Sequence, residues 1–148
     1  MKKIVIGSDH GGYALKGAII NHLKKKKYEV IDVGTYSEDR VDYPDFAEKA
    51  ARMVASKEVK MGILICKTGI GMCISANKIK GIRAANVHDI DTAKLSKEHN
   101  NANIITLGSV VLEPEEAIEV VESWLDAKFV GGRHKRRIKK ISKLELEN

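Results

Sequence analysis

The chain has 148 residues, 43% hydrophobic and 31% charged, with only 2 prolines. This is the length of one ordinary domain with room for a core, and the composition excludes disordered, collagen-like and low-complexity polymers. The net charge is +6, but from Gly131 to Asn148 seven basic residues stand against two acidic ones, so the first 130 residues carry only +1. A nearly neutral body with a basic end argues for a local anion contact, not for a surface that coats nucleic acid.

The elements alternate along the chain. Residues 3–8 form a short β-branched run bounded by glycine, which predicts a buried strand. Residues 13–27 carry Ala14, Leu15, Ala18, Ile19 and Leu23 at helical spacing and end in four lysines, a solvated last turn that suits the helix dipole. A second strand is expected over 29–33, and a helix over 44–56 with Pro44 in its first turn. Residues 61–66 are almost continuously apolar, the mark of a strand covered on both faces.

Beyond a glycine turn the pattern predicts a short helix over 72–79, a strand over 82–87 and a helix over 89–99. A strand over 103–107, a helix over 114–129 and a basic helix over about 132–147 complete the chain. Five strand–helix repeats predict a Rossmann-like α/β three-layer sandwich: a five-stranded parallel sheet with helices on both faces, plus a basic C-terminal helix. No repeat or linker divides it, so residues 1–148 are read as one domain. In such folds ligands sit beyond the carboxyl ends of the strands.

No apolar run approaches the roughly 18 residues that cross a bilayer, and the segment after Met1-Lys2-Lys3 is too short for a signal peptide's middle region. Two cysteines, Cys66 and Cys73, are too few for a disulfide scaffold, which leads us to expect a reduced, cytoplasmic protein without membrane contact.

After the first strand stands Gly7-Ser8-Asp9-His10-Gly11-Gly12. It has half of a P-loop, but Tyr13-Ala14 replaces the required Lys-Ser/Thr, and it misses the glycine spacing of the dinucleotide fingerprint. A carboxylate, an imidazole and two glycines at a helix start suit sugar hydroxyls, with Asp9 accepting, and a single anion, with His10 donating. Asp9 could equally serve as a helix cap.

After the third strand stands Cys66-Lys67-Thr68-Gly69-Ile70-Gly71-Met72. Backbone N–H groups of a glycine turn favour a thiolate and can also hold an oxyanion. A base beside such a cradle is what proton abstraction next to a carbonyl requires. Cys73, among Ala, Ile and Ser, is read as packing. His99, followed by Asn100 and Asn101, is either a charge–dipole cap or a group serving a sugar oxygen. In the tail, Arg133, Arg137 and Lys140 fall on one helical face, Ile138, Ile141 and Leu144 on another. Two guanidiniums one turn apart suit a phosphate monoester, and the apolar stripe implies docking on protein, either this chain or a second subunit.

Together these residues resemble the type B ribose-5-phosphate isomerases, in the wider family that includes galactose-6-phosphate isomerase subunits. The likeness spans essentially the whole chain. It is carried by Ser8-Asp9-His10-Gly11-Gly12, Asp42-Tyr43-Pro44, Cys66 with Thr68-Gly69-Ile70-Gly71, and Ala76-Asn77-Lys78. Gly81-Ile82-Arg83-Ala84, His99-Asn100 and Gly131-Gly132-Arg133-His134 extend it.

The resemblance implies a homodimer, or two such dimers in a tetramer, with active sites at the subunit boundary and the C-terminal helix packed on the partner. It implies interconversion of ribose 5-phosphate and ribulose 5-phosphate through an enediolate, within the pentose phosphate pathway, with no metal, no cofactor and no nucleic acid. The base falls on Cys66 assisted by Thr68, and the enediolate cradle on Lys67, Thr68, Gly69, Ile70 and Gly71. Ring opening falls on His99 with Asp9 nearby, hydroxyl contact on Asn100, and a place against the sugar on Tyr43. Phosphate contact falls on His10, Arg133 and Arg137, with His134 beside them.

Some relatives use a glutamate at the position of Ile70, which leaves Cys66 as the base here. Lys67 stands where glycine is usual, so a positive φ at that position would strain the cradle by about 1 kcal/mol or more. The nearest rival is the same chemistry on a six-carbon sugar phosphate. A non-catalytic nucleic-acid module using the basic tail is the rival of another class.

Overall fold

A computed structural model describes residues 2–147. The strands are β1 (Lys3–Ser8), β2 (Glu29–Asp32), β3 (Gly62–Cys66), β4 (Ala84–Asn86) and β5 (Ile104–Gly108). The helices are α1 (Tyr13–Lys25), α2 (Tyr43–Ala55), α3 (Ile70–Ala76), α4 (Ile90–Glu98), α5 (Pro114–Asp126) and α6 (Arg133–Leu146), with a 3-10 turn at His10–Gly12. All strand pairs are parallel, in the order β2-β1-β3-β5-β4.

The period of two along each strand divides the core. Ile4, Ile6, Ile63, Ile65, Ile105 and Leu107 point to one face, where they meet Leu15, Ile19 and Leu23 of α1 and Val120, Val121 and Trp124 of α5. Val5, Leu64, Cys66 and Ile104 point to the other, against Ala47, Ala50, Ala51 and Val54 of α2 and Met72 and Ala76 of α3. Small residues on α2 let it lie close to the sheet. Trp124 is fully buried, and its indole N–H is satisfied by the Ala102 carbonyl at 3.2 Å.

The expected sandwich is therefore present, with its sheet as read. Element ends differ by a few residues. The helix expected from Met72 begins at Ile70, because Gly69 (φ +80°) ends the preceding turn and starts the helix at once. The strand expected over 82–87 shortens to Ala84–Asn86, since it lies at the sheet edge and pairs only with β5.

Connections from β1 run to β2 on one side, whereas those from β3 run to the β5-β4 side. The crevice at a strand-order reversal is where open α/β sheets hold ligands. Here it lies between the carboxyl ends of β1 and β3, where Asp9-His10 and Cys66-Lys67 emerge.

Candidate active site

Cys66 ends β3 with 5% of its surface exposed. The turn that follows wraps back over it, and the Gly69 N–H donates to Sγ at 3.1 Å. This requires Gly69 to adopt a left-handed conformation, and a Cβ there would collide with Asn86 Oδ1. Thr68 Oγ1 accepts the Ile70 N–H at 3.2 Å, which leaves the hydroxyl's own proton free to be donated. Gly71 lies under the Tyr43 ring, 2.6 Å from where its Cβ would be, so Tyr43, the first residue of α2, covers the turn.

Lys67 does not strain the cradle. Among the described non-glycine residues only Lys27, Lys57 and Asn101 have positive φ, so a lysine fits position 67 with its N–H in the turn. The expectation of strain there is corrected.

The β1 loop closes the other side. Asp9 is 7% exposed, and its Oδ1 accepts the Gly12 N–H at 3.1 Å, so it does cap the 3-10 turn. One carboxylate oxygen is used in this way. His10 Nδ1 accepts the Val41 N–H at 3.3 Å, so the neutral ring carries its proton on Nε2. Ser109, just past β5, stitches the two loops together: its N–H donates to the Cys66 carbonyl at 2.9 Å and its hydroxyl to the Gly11 carbonyl at 2.8 Å.

Asp9, His10, Tyr43, Cys66 and residues 67–71 thus gather at one end of the sheet. His99, Asn100, Arg133, His134 and Arg137 gather at the other. α4 returns antiparallel to the strands, so His99 lies by the amino ends, where Asn103 accepts the Gly62 N–H that opens β3. The length of β3 alone, at roughly 3.3 Å per residue, separates the groups by about 13 Å.

At this second end the His99 and His134 rings stack with centroids 4.2 Å apart and planes 9° apart. His134 is 7% exposed. Loss of water contact, then repulsion from His99, Arg133 and Arg137, holds its pKa below the ordinary histidine value. Its ring braces His99, while Arg133 and Arg137 are exposed one turn apart, as their spacing predicts. Cys73 donates to the Ala84 carbonyl at 3.4 Å, and burial pushes its thiol pKa up, in keeping with a packing role. Among the described residues no group of three or more His, Cys, Asp or Glu is arranged to hold a metal ion.

The residues that sequence reasoning missed are Ser109, Arg40 and Val41. Arg40 and Val41 line the cleft beside His10 from a loop with no periodic pattern; their only signal was that they immediately precede Asp42-Tyr43-Pro44. Ser109 had a positional signal, as the first polar residue beyond the end of a central strand.

The profile of the family described as Ribose/Galactose Isomerase matches residues 4–141. The chain belongs to this family. It is 47% identical over 145 residues to ribose-5-phosphate isomerase B of Escherichia coli, covering 98% of this chain and 97% of that one. The structure of Clostridium thermocellum ribose-5-phosphate isomerase B superposes with a TM-score of 0.97 at 52% identity, covering 98% of both chains. That of Mycoplasma genitalium ribose-5-phosphate isomerase B with bound ribulose-5-phosphate gives 0.95 at 47% identity, covering 99% of this chain and 97% of that one. Among the described residues, no helix of this family member is long and apolar enough to cross a membrane.

Proposed function

We propose that this chain interconverts ribose 5-phosphate and ribulose 5-phosphate, acting as a homodimer in a reducing, cytoplasmic compartment. The observation that carries the reading is the Cys66 sulfur, held at 3.1 Å by the Gly69 N–H inside the turn that opens on the β1–β3 crevice. A proton-accepting atom and main-chain donors are fixed there by the same few residues.

In the open-chain aldose, the Cys66 thiolate takes the C2 proton. Electrons of the C2–H bond form the C1–C2 double bond, and the C1 oxygen becomes the enediolate oxygen, stabilised by N–H groups of residues 67–71. The proton of the C2 hydroxyl passes to the C1 oxygen, and as the C2 oxygen collapses to the ketone the thiol returns its proton to C1, which leaves a C1 hydroxyl and the thiolate restored. Thr68 relays the proton between the two oxygens, a role supported by its hydroxyl accepting the Ile70 N–H and so keeping its own proton for donation. The phosphate acts as a remote handle that orients C1 and C2.

His10 supplies the Nε2–H donor for that phosphate, and Tyr43 lies against the sugar. Ring opening falls to His99, with Asp9 nearby and Asn100 on a hydroxyl. The remaining phosphate contacts fall to Arg133 and Arg137, with His134 bracing His99. These lie at the far end of the same sheet, so we assign them to a second copy whose far end meets the first copy's crevice. The exposed apolar residues Ile70 (54%) and Ile74 (59%) on α3 support that contact. So does α6, which meets the body at its two ends, through the His134–His99 stack and the Glu145 carboxylate accepting the Gly81 N–H at 3.0 Å, while Ile141 between them remains exposed.

The test is an isomerase assay on ribose 5-phosphate, with and without a chelator, for the wild type and Cys66→Ala. We expect chelator-insensitive turnover by the wild type. Cys66→Ala should lose at least about 100-fold in kcat while still binding the sugar phosphate. Full activity in that variant would move the base elsewhere.

A further inference from the structure

The Lys67 side chain runs along the β1 loop. A Cβ on Gly11 would stand 2.8 Å from Lys67 Cγ and 3.6 Å from its Cε, so the stem lies against Gly11. The residue is exposed, and with His10 and Arg40 it lines a cleft of about 630 Å3 that also admits Asp42 and Asp45. Among the described residues no carboxylate pairs with the Lys67 ammonium. Three groups able to carry positive charge thus share one opening with two carboxylates, and this ammonium stands on a stem that lies against Gly11, with no counter-ion among the described residues.

We propose that the Lys67 ammonium binds the substrate phosphate beside His10, from within the same chain as the catalytic sulfur. This rests on the isomerase reading above and adds a contact to it. Lysine suits the task, because its compact charge sits on a four-carbon stem that spans much of the distance between the turn and the phosphate of an extended pentose. Residue 67 then serves both ends of the substrate: its N–H faces the reacting carbons and its ammonium the phosphate. The handle is partly built before a second copy adds its arginines.

The test uses Lys67→Met, which keeps the stem and the main-chain N–H, and Lys67→Arg, which keeps the charge. For Lys67→Met we expect KM for ribose 5-phosphate and the inhibition constant of inorganic phosphate to rise together, by about five- to twentyfold. Loss of one partly solvated charge-assisted hydrogen bond has an effect of that order. Any fall in kcat should be by a smaller factor than the rise in KM, and Lys67→Arg should bring both constants back to within about threefold of wild type.

Unchanged constants in Lys67→Met would overturn the proposal. So would a fall in kcat at constant KM, which would tie the ammonium to the sulfur instead. Should the wild type fail to isomerise, the isomerase reading falls by itself. Calorimetric titration with inorganic phosphate then decides Lys67 separately: weaker binding by Lys67→Met supports the contact and equal binding removes it.

Discussion

Gly69 shows how one backbone position governs the site. Its φ of +80° turns its N–H onto Cys66, and the space beside its Cα is already filled by Asn86 Oδ1 and by the Leu107 carbonyl carbon, 3.0 Å from where a methyl group would stand. Gly69→Ala therefore combines left-handed strain with a clash against backbone. We expect a loss of about 2–3 kcal/mol in chemical denaturation and a kcat reduced at least tenfold. A variant as stable and active as the wild type would show that the turn is not rigid. Lys16 is the second residue of this kind. It is 1% exposed, and its ammonium donates to Asp32 Oδ1 and to the Thr35 carbonyl, both at 2.6 Å. Lys16→Met removes the charge but keeps the stem, leaving the Thr35 carbonyl without this donor and the Asp32 carboxylate with the Gly34 N–H at 2.9 Å but without its counter-charge. Asp32 is partly solvated, so we expect about 2 kcal/mol of destabilisation, below the usual cost of breaking a fully buried pair. The loop from Thr35 to Val41 leads from that anchor to His10, so KM should rise in the same variant; an unchanged KM would mean that the loop holds its shape without the anchor.

At the scale of elements, the strands were legible because a parallel sheet covered on both faces needs unbroken apolar runs such as Gly62–Cys66, which is buried throughout. The Cys66 turn was legible for a related reason: only glycines permit that path. Strand order was not legible, because no local pattern tells β4 to lie outside β5. That the site is divided between subunits was legible only through the family resemblance. From the residues alone His99 reads as a helix-end cap or a group serving a sugar oxygen, and only the antiparallel return of α4 sends it to the amino edge. The same stretch yields a pH prediction. The folded protein holds His134 below the ordinary histidine pKa of about 6.5, through burial against His99 and the charges of His99, Arg133 and Arg137. A depressed folded value means that the unfolded chain takes up the proton first. The stack's contribution is therefore complete above that ordinary value and is lost as pH falls below it and through the folded value. We expect the melting-temperature advantage of wild type over His134→Gln to hold level from about pH 8 to 7 and to shrink as pH falls from about 7 to 5. An advantage independent of pH would mean that the stack stabilises by packing alone.

At the scale of the molecule, the decisive feature is that one chain holds the two halves of its proposed site at opposite ends of a single sheet. A two-fold dimer resolves this if each crevice meets the partner's His99–Arg137 end, since an isologous interface then makes two equal composite sites. This arrangement has a consequence that no single-chain site shares. Cys66→Ala disables the crevice end and His99→Ala the other, so each homodimer is inactive for a different reason. In a dimer with one subunit of each kind, one composite site receives both defects and the other receives none. Co-refolding the two variants in equal amounts should therefore recover roughly a quarter of wild-type activity, because about half of the dimers are mixed and each carries one intact site of two. Recovery should depend on subunit exchange and be absent when the folded variants are mixed and assayed at once. If co-refolded material stays as inactive as its parents while size measurements detect mixed dimers, both ends belong to one chain's site after all, and the far-end residues have some purpose other than opening the sugar ring.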